Sequence, residues 1–294
     1  MENLDLDEIY SKIRFLHDEN KDFTELKNKF DEKLHNESTY ETRLHTTLKI
    51  ITSKFPNKDI RILDYGCGAG RLLFFLRSLG YKNINGCDRL NYLDGKIRLQ
   101  IDKNNSLFKK TFDLDNVFSH CNEFKDENGK ITIYDNQSFD LITSEQVLEH
   151  CHNLEGYTDE CLRLLDKDGS AYLTFGQRLR PFENHIKTWF VHWLPKYFMN
   201  IWLNIFRKDR GGSEYYDKLL NLKTIFYFKK LFKSKFSKVD WLTSTYLGEA
   251  NIKYYKRYKK TRNIFNFFFN LKFIGSVFRI VLAYFANPMF IIHK

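Results

Sequence analysis

Apolar positions along the chain recur with two different periods. Ile9, Ile13 and Leu16, then Leu26, Phe30 and Leu34, then Leu44, Leu48 and Ile51 fall at three- and four-residue steps, the spacing of one helix face. Residues 1–57 therefore read as helical, with one helix over 39–54 that Pro56 and Asn57 end. From residue 61 the pattern changes. Short apolar runs at 61–65, 83–87, 139–143 and 170–175 alternate with helical patterns at 71–79, 92–111 and 159–165. That alternation predicts an α/β fold with a parallel, doubly wound sheet. Between them, 117–121 or 131–133 supplies a further strand, and a helix through Val147 and Leu148 follows the strand at 139–143.

Beyond Phe175 the rhythm breaks. Residues 180–198, RPFENHIKTWFVHWLPKYF, and the polar stretch KDRGGSEYYD at 208–217 read as an insertion after the fifth strand. Residues 219–236 follow as a helix, 238–242 as a strand, 264–286 as an apolar helix and 288–293 as a last strand. The expected organisation is an N-terminal helical cap (1–57), a cofactor-binding core (58–177), the insertion (178–217), and a C-terminal part of the core (218–294) that carries a basic run, an amphipathic helix and the last strand.

Composition narrows the class. At 43% hydrophobic and 29% charged the chain should fold rather than stay disordered. A net charge of +10 suits an anionic partner. The start, MENLDLDEIY, is acidic and lacks the apolar core of a secretory signal. Cys67, Cys87, Cys121, Cys151 and Cys161 are odd in number and form no CxxC pair, so free thiols in a cytoplasmic protein are expected. His120 beside Cys121, and His150 beside Cys151 and His152, lack zinc-ligand spacing, and no metal is expected.

The candidate chemistry begins at ILDYGCGAGR, residues 62–71. A strand ending in a glycine turn that opens a helix presents bare backbone and unpaired N–H groups to a ligand. A dinucleotide takes G-x-G-x-x-G. Here Gly66, Gly68 and Gly70 give G-x-G-x-G, and Arg71 stands after them. Asp64, at the strand end, is placed for an ammonium, and Asp88, at the end of the second strand, for a pair of ribose hydroxyls. Asp88 suits a nicotinamide cofactor equally, but the glycine spacing favours S-adenosylmethionine over it.

With NINGCDRL, YDNQSFDLITSEQVLEH and LLDKDGSAYLTF following in order, residues 60–177 resemble the class I S-adenosylmethionine-dependent methyltransferases. The nearest type is the broad group that includes the ubiquinone- and menaquinone-pathway enzymes. The resemblance implies a doubly wound, seven-stranded Rossmann-like sheet with one antiparallel strand, to which PMFIIHK at the C-terminus corresponds. N-terminal helices and a helical insertion after the fifth strand would complete it. It also implies that Asp64, Gly66, Gly68 and Gly70 cradle the methionine end, that Asp88 holds the ribose and Arg89 lies beside the adenine. Ser144 and Glu145 would line the cleft, and Tyr40 and Arg43 would reach the carboxylate. The region HCNEFKDENGK departs from the family pattern at the adenine, where Asn122 or Glu123 is the candidate.

Methyl transfer is an in-line displacement that depends on positioning, and a hydroxyl acceptor benefits from a base. His150 in SEQVLEH and His185 in the insertion are the candidates, with Phe182, Trp189, Phe190 and Trp193 as walls of an acceptor pocket. The expected activity is O-methylation of a small molecule, a glycan or a lipid-linked intermediate. A non-catalytic cofactor-binding protein, an RNA methyltransferase and, last, an NAD(P)-dependent oxidoreductase are the alternatives.

KYYKRYKKTR, residues 253–262, carries six positive charges. The uncharged run after Arg279 ends at Ile292 and contains Pro288, too short for the ~20 residues of a membrane span. Lys272, Gly275, Ser276, Arg279, Ala283, Ala286 and Asn287 form one narrow polar and small-residue stripe. The favoured expectation is that the helix packs on the sheet with this stripe facing water. A second is peripheral contact with an anionic membrane; nucleic acid ranks third. Nothing in the pattern sets the oligomeric state.

Overall fold

A computed structural model describes residues 39–68, 70–89, 101–102, 104–106, 108–109, 112–122, 131–183, 188–206, 220–252 and 272–294. The elements in chain order are α1 (Thr39–Lys54), β1 (Arg61–Tyr65), α2 (Arg71–Ser78), β2 (Asn83–Arg89), β3 (Phe118–Cys121), β4 (Phe139–Glu145), α3 (Leu154–Leu164) and β5 (Leu165–Thr174). The short strands β6 (Phe182–Glu183) and β7 (Thr188–Trp189) follow, then α4 (Lys196–Phe206), α5 (Ile225–Lys235), β8 (Lys238–Trp241), α6 (Thr243–Ile252), α7 (Lys272–Ala283) and β9 (Met289–His293). The strand order β3-β2-β1-β4-β5-β9-β8 makes a seven-stranded sheet. The chain divides into two compact units, residues 1–121 with 249–266 and residues 122–248 with 267–294.

In the first unit β1, β2 and β3 run parallel, with Asp64 opposite Gly86 and Asp88 opposite His120. Ile62 and Leu63 are fully buried in β1, as parallel strands covered on both faces require. The expected helix over 71–79 is α2, which buries Leu72 through Leu76.

In the second unit β4 and β5 are parallel, while β9 is antiparallel to both β5 and β8. The apolar segment MFIIH is buried over its first four residues, so the last strand and its reversed direction agree with the family expectation. Phe175, Phe228, Phe232 and Phe290 form the core between α5 and the sheet, with Phe175 and Phe228 ring centres 4.2 Å apart. Each such ring contributes about 1.5–3 kcal/mol through burial.

Three expectations shift. The segment after β4 is a 3-10 turn, Leu148–His150, rather than a helix, and α3 starts at Leu154. Asn153 caps it, its Oδ1 accepting from the Gly156 N–H at 2.9 Å, the local bond that favours a helix start here. The insertion opens with the β6–β7 hairpin, Glu183 opposite Thr188, before α4. Finally, α7 turns Gly275 and Ala283 inward and Val277, Ile280 and Val281 outward, these three 46–49% exposed. Gly275 and Ala283 face the protein because small side chains permit close approach, whereas Ser276 is exposed and Arg279 half-buried, so the stripe expected to face water is split between the two sides. No described helix is long and apolar enough to cross a membrane.

Candidate active site

The glycine turn is built by backbone bonds in the first unit. The N–H groups of Gly66 and Cys67 both donate to Cys87 O, at 2.8 and 3.1 Å, and Gly70 N–H donates to Cys67 O at 2.8 Å. Gly66, Gly68 and Gly70 all have positive φ, 86°, 48° and 68°, the region L side chains avoid. Gly70 is also sterically required: a Cβ there would lie 2.7 Å from the Phe118 ring. A Cβ on Gly68 would meet nothing within 4 Å, so this glycine borders open space where a ligand can approach backbone. Gly70 caps α2 without a side-chain bond, leaving the helix N-terminus uncovered by a capping group.

Asp88 closes the turn. The Gly68 N–H donates to its Oδ2 at 2.6 Å and the Arg89 N–H to its Oδ1 at 2.7 Å. Burial pushes this carboxyl above the usual carboxylate range, although those N–H bonds and the charges of Arg89 and His120 pull it back. Each oxygen accepts one bond here and has room for a second. Asp64 is buried in β1, and Arg89 is half-buried at the end of β2. Two residues absent from the sequence reading support the turn. Asn104, itself buried, donates through Nδ2 to Gly68 O at 3.0 Å, and Asn105 brackets the backbone of Phe118 with two 2.9 Å bonds. Arg43 and Tyr40 lie on α1, but their side chains are outside the described residues, as is Glu123. Asn122 donates its N–H to Ile131 O at 2.9 Å.

In the second unit Ser144 and Glu145 end β4, opposite Leu173 and Thr174. Ser144 is fully buried, and its Oγ finds no hydrogen-bond partner among the described residues. A recess opens just beyond the ends of β4 and β5, lined by Gln146, Glu149, Gly176, Gln177, Arg180, Glu183, His192, Leu220 and Leu222. His150 is half-buried on the 3-10 turn and does not line it; its neighbour Glu149 does. His185 is outside the described residues. The imidazole of the insertion that lines the recess is His192, whose Nε2 lies 2.5 Å from Glu183 Oε2, both side chains buried. Gln177 is fully engaged: its Nε2 donates to Tyr284 O and Ala286 O at 2.6 and 3.1 Å, and its Oε1 accepts from Leu179 N–H at 3.1 Å. Arg180 donates to Asn287 Oδ1 at 3.2 Å. A histidine near TWFVHW was visible in the sequence, but its pairing with Glu183 depends on the hairpin and carried no local signal.

The methyltransferase domain family matches residues 35–210, more than half of the chain. The chain belongs to this family. It is a class I S-adenosylmethionine-dependent methyltransferase. Two relatives are ubiquinone biosynthesis O-methyltransferases. The mitochondrial protein of Rattus norvegicus is 29% identical over 132 residues, covering 43% of this chain and 34% of its own length. That of Pelagibacter ubique is 26% identical over 150 residues, covering 50% and 56%. The methyltransferase thus spans about a third to just over half of these relatives' length. Among solved structures, phosphoethanolamine N-methyltransferase 2 of Haemonchus contortus, in complex with S-adenosylhomocysteine, superposes with a TM-score of 0.46. It shows 18% identity, covering 85% of this chain and 52% of its own.

The turn fits the cofactor. The open backbone surface at Gly68 lets a ligand approach closely, the uncapped N-terminus of α2 supplies donors, and Asp88 has spare acceptor capacity, the set that an amino-acid end and a ribose require.

Proposed function

We propose that this methyltransferase methylates an oxygen of a small hydroxylated acceptor held in the recess beyond β4 and β5. The observation that carries the reading is the buried His192–Glu183 pair in that recess. A carboxylate that orients an imidazole is a general-base arrangement, and open α/β sheets bind ligands outside the carboxyl ends of their strands. The two O-methyltransferase relatives favour oxygen as the acceptor atom.

In this reading Gly66, Gly68, Gly70 and Asp64 hold the methionine end and Asp88 the ribose, with Arg89, Ser144, Glu145 and Arg43 as further cofactor contacts. S-adenosylmethionine supplies an electrophilic methyl on a sulfonium leaving group. The acceptor oxygen forms the new C–O bond as the C–S bond breaks, and His192 takes the hydroxyl proton while Glu183 steadies the imidazolium. His192 thereby takes the base role that the sequence offered to His150, which does not line the recess, and to His185, which lies outside the described residues. The 1–57 cap, the 58–177 cofactor core, the 178–217 acceptor insertion and the 218–294 remainder stand as the functional division of the chain.

Labelled S-adenosylmethionine offered with phenols and saccharides tests this. His192→Ala should lower turnover about 10²–10⁴-fold, the scale of general-base catalysis, with S-adenosylhomocysteine affinity intact. Methyl transfer to nitrogen or carbon only, or full activity of the variant, would sink it.

A second reading concerns where the acceptor is met. The outward Val277, Ile280 and Val281 of α7, which follow the basic run 253–262 in the same C-terminal part of the sequence, favour peripheral contact with an anionic membrane, where a lipid-linked acceptor would lie. Exposed apolar side chains together with a basic run are the composition such contact uses.

A further inference from the structure

Gln146 is the first residue beyond β4, and its φ of 57° is left-handed. Side chains with a Cβ avoid that region, and glutamine is not among the residues enriched there. The main chain fixes the conformation: the Gln146 N–H donates to Thr174 O, at the end of β5, at 2.7 Å. The side chain lines the recess, where its Nε2 is buried and finds no hydrogen-bond partner among the described residues. Its Oε1 has only a long 3.4 Å approach from Asn287 Nδ2. Turning the amide over exchanges which atom is unmatched and does not remove the mismatch.

Two costs therefore meet at one residue, a strained backbone and an unsatisfied buried amide. Glycine would relieve both, and strain of this kind collects where a side chain is held for a ligand. Gln177 offers the contrast. It lines the same recess, but both its amide atoms are bonded to backbone, so it builds the wall rather than reads a ligand.

We infer that Gln146 is the acceptor-reading residue: its amide hydrogen-bonds an oxygen substituent of a hydroxylated ring bound in the recess. This rests on the acceptor site proposed above. A ring suits the exposed aromatics that flank His192 in sequence, although they do not themselves line the recess. Trp189, Phe190 and Trp193 are 41–55% exposed, Phe190 is itself left-handed at φ 58°, and its ring centre lies 4.9 Å from that of Trp193. Flat faces of this kind stack on phenolic and on pyranose rings alike.

The test uses the full chain saturated with S-adenosylhomocysteine. The probes are 3,4-dihydroxybenzoate in one arm and methyl glucopyranoside in the other, followed by calorimetry. Binding in the first arm alone identifies a phenolic source, in the second a saccharide source. Gln146→Gly should weaken the bound probe about tenfold, the scale of one hydrogen bond, while Tm is unchanged or higher. A purely structural glutamine would lower Tm and affinity together, and that result overturns the inference, as does unchanged affinity. Gln146→Asn, which tolerates the left-handed backbone, carries the same comparison if the glycine variant does not fold. Wild-type protein that binds S-adenosylhomocysteine but neither probe overturns the inference alone. Failure to bind S-adenosylhomocysteine overturns the site reading beneath it.

Discussion

Asp88 Oδ2 lies 2.6 Å from the amide nitrogen of Gly68, so the acid that ends β2 is bonded directly to the middle of the glycine turn. The acid and the glycine loop proposed to hold the cofactor are therefore one unit. Burial raises the Asp88 carboxyl, so protonation sets in at a higher pH than for an ordinary aspartate. S-adenosylhomocysteine affinity should accordingly begin to fall at a higher pH on acidification than an unperturbed aspartate, near about 3.9, would give. The sign for stability is opposite. A raised folded-state value favours the protonated fold, a contribution present below the unfolded value and lost as pH rises through the folded one. Calorimetry across pH reads the first; a pH-independent affinity down to that ordinary range contradicts it.

Gly70 should tolerate no side chain. Gly70→Ala places a Cβ 2.7 Å from the Phe118 ring at φ 68°, combining a clash with a left-handed backbone. About 2–4 kcal/mol of destabilisation is expected from the two together, measured as a lower urea midpoint. Gly68→Ala, with open space at its Cβ, should cost less stability yet weaken cofactor binding.

The turn was readable because local geometry dictates it: glycines at alternate positions after an apolar strand have few other uses. The last strand was equally plain, since four buried apolar residues in a row suit a strand covered on both faces. The start of β5 was not. Asp166, Lys167, Asp168 and Gly169 look like a stop signal, yet the strand already begins at Leu165 and passes through an irregularity opposite Phe139–Leu141. The facing of α7 was only partly legible, because period alone marks a stripe without saying which of its residues the protein covers: Ser276 is exposed as expected, Gly275 and Ala283 are not. His192 and Gln146 were missed for a related reason. One is defined by a partner across a hairpin, the other by a backbone angle, and neither leaves a mark in residue spacing.

Glu160 on α3 provides an acid-sensitive lock. Burial pushes its carboxyl up, but hydrogen bonds from Arg163 and Thr132 outweigh this and hold it below the usual range. A depressed value means stability that is present above the unfolded value of about 4.3 and lost as pH falls through the folded one. Glu160→Gln should cost about 1.5–3 kcal/mol at neutral pH, the range for bonds to a charged group. It should also flatten the acid limb of a urea-midpoint profile. An unchanged acid limb would remove Glu160 from the account.

Vesicles test the outward face of α7. With mixed anionic lipid, Val277→Ser, Ile280→Ser and Val281→Ser combined should weaken binding several-fold and leave Tm near wild type, because these residues are exposed. Equal binding to neutral and anionic vesicles, or no effect of the substitutions, would count against membrane contact.

The most direct measurement is calorimetric titration of the whole protein with S-adenosylhomocysteine, with NADH as control and Asp88→Ala alongside. The account predicts binding of the first ligand, none of the second, and at least about a tenfold loss in the variant, the scale of charge-assisted hydrogen bonds. Binding of NADH instead, or an affinity that Asp88→Ala leaves untouched, would contradict it.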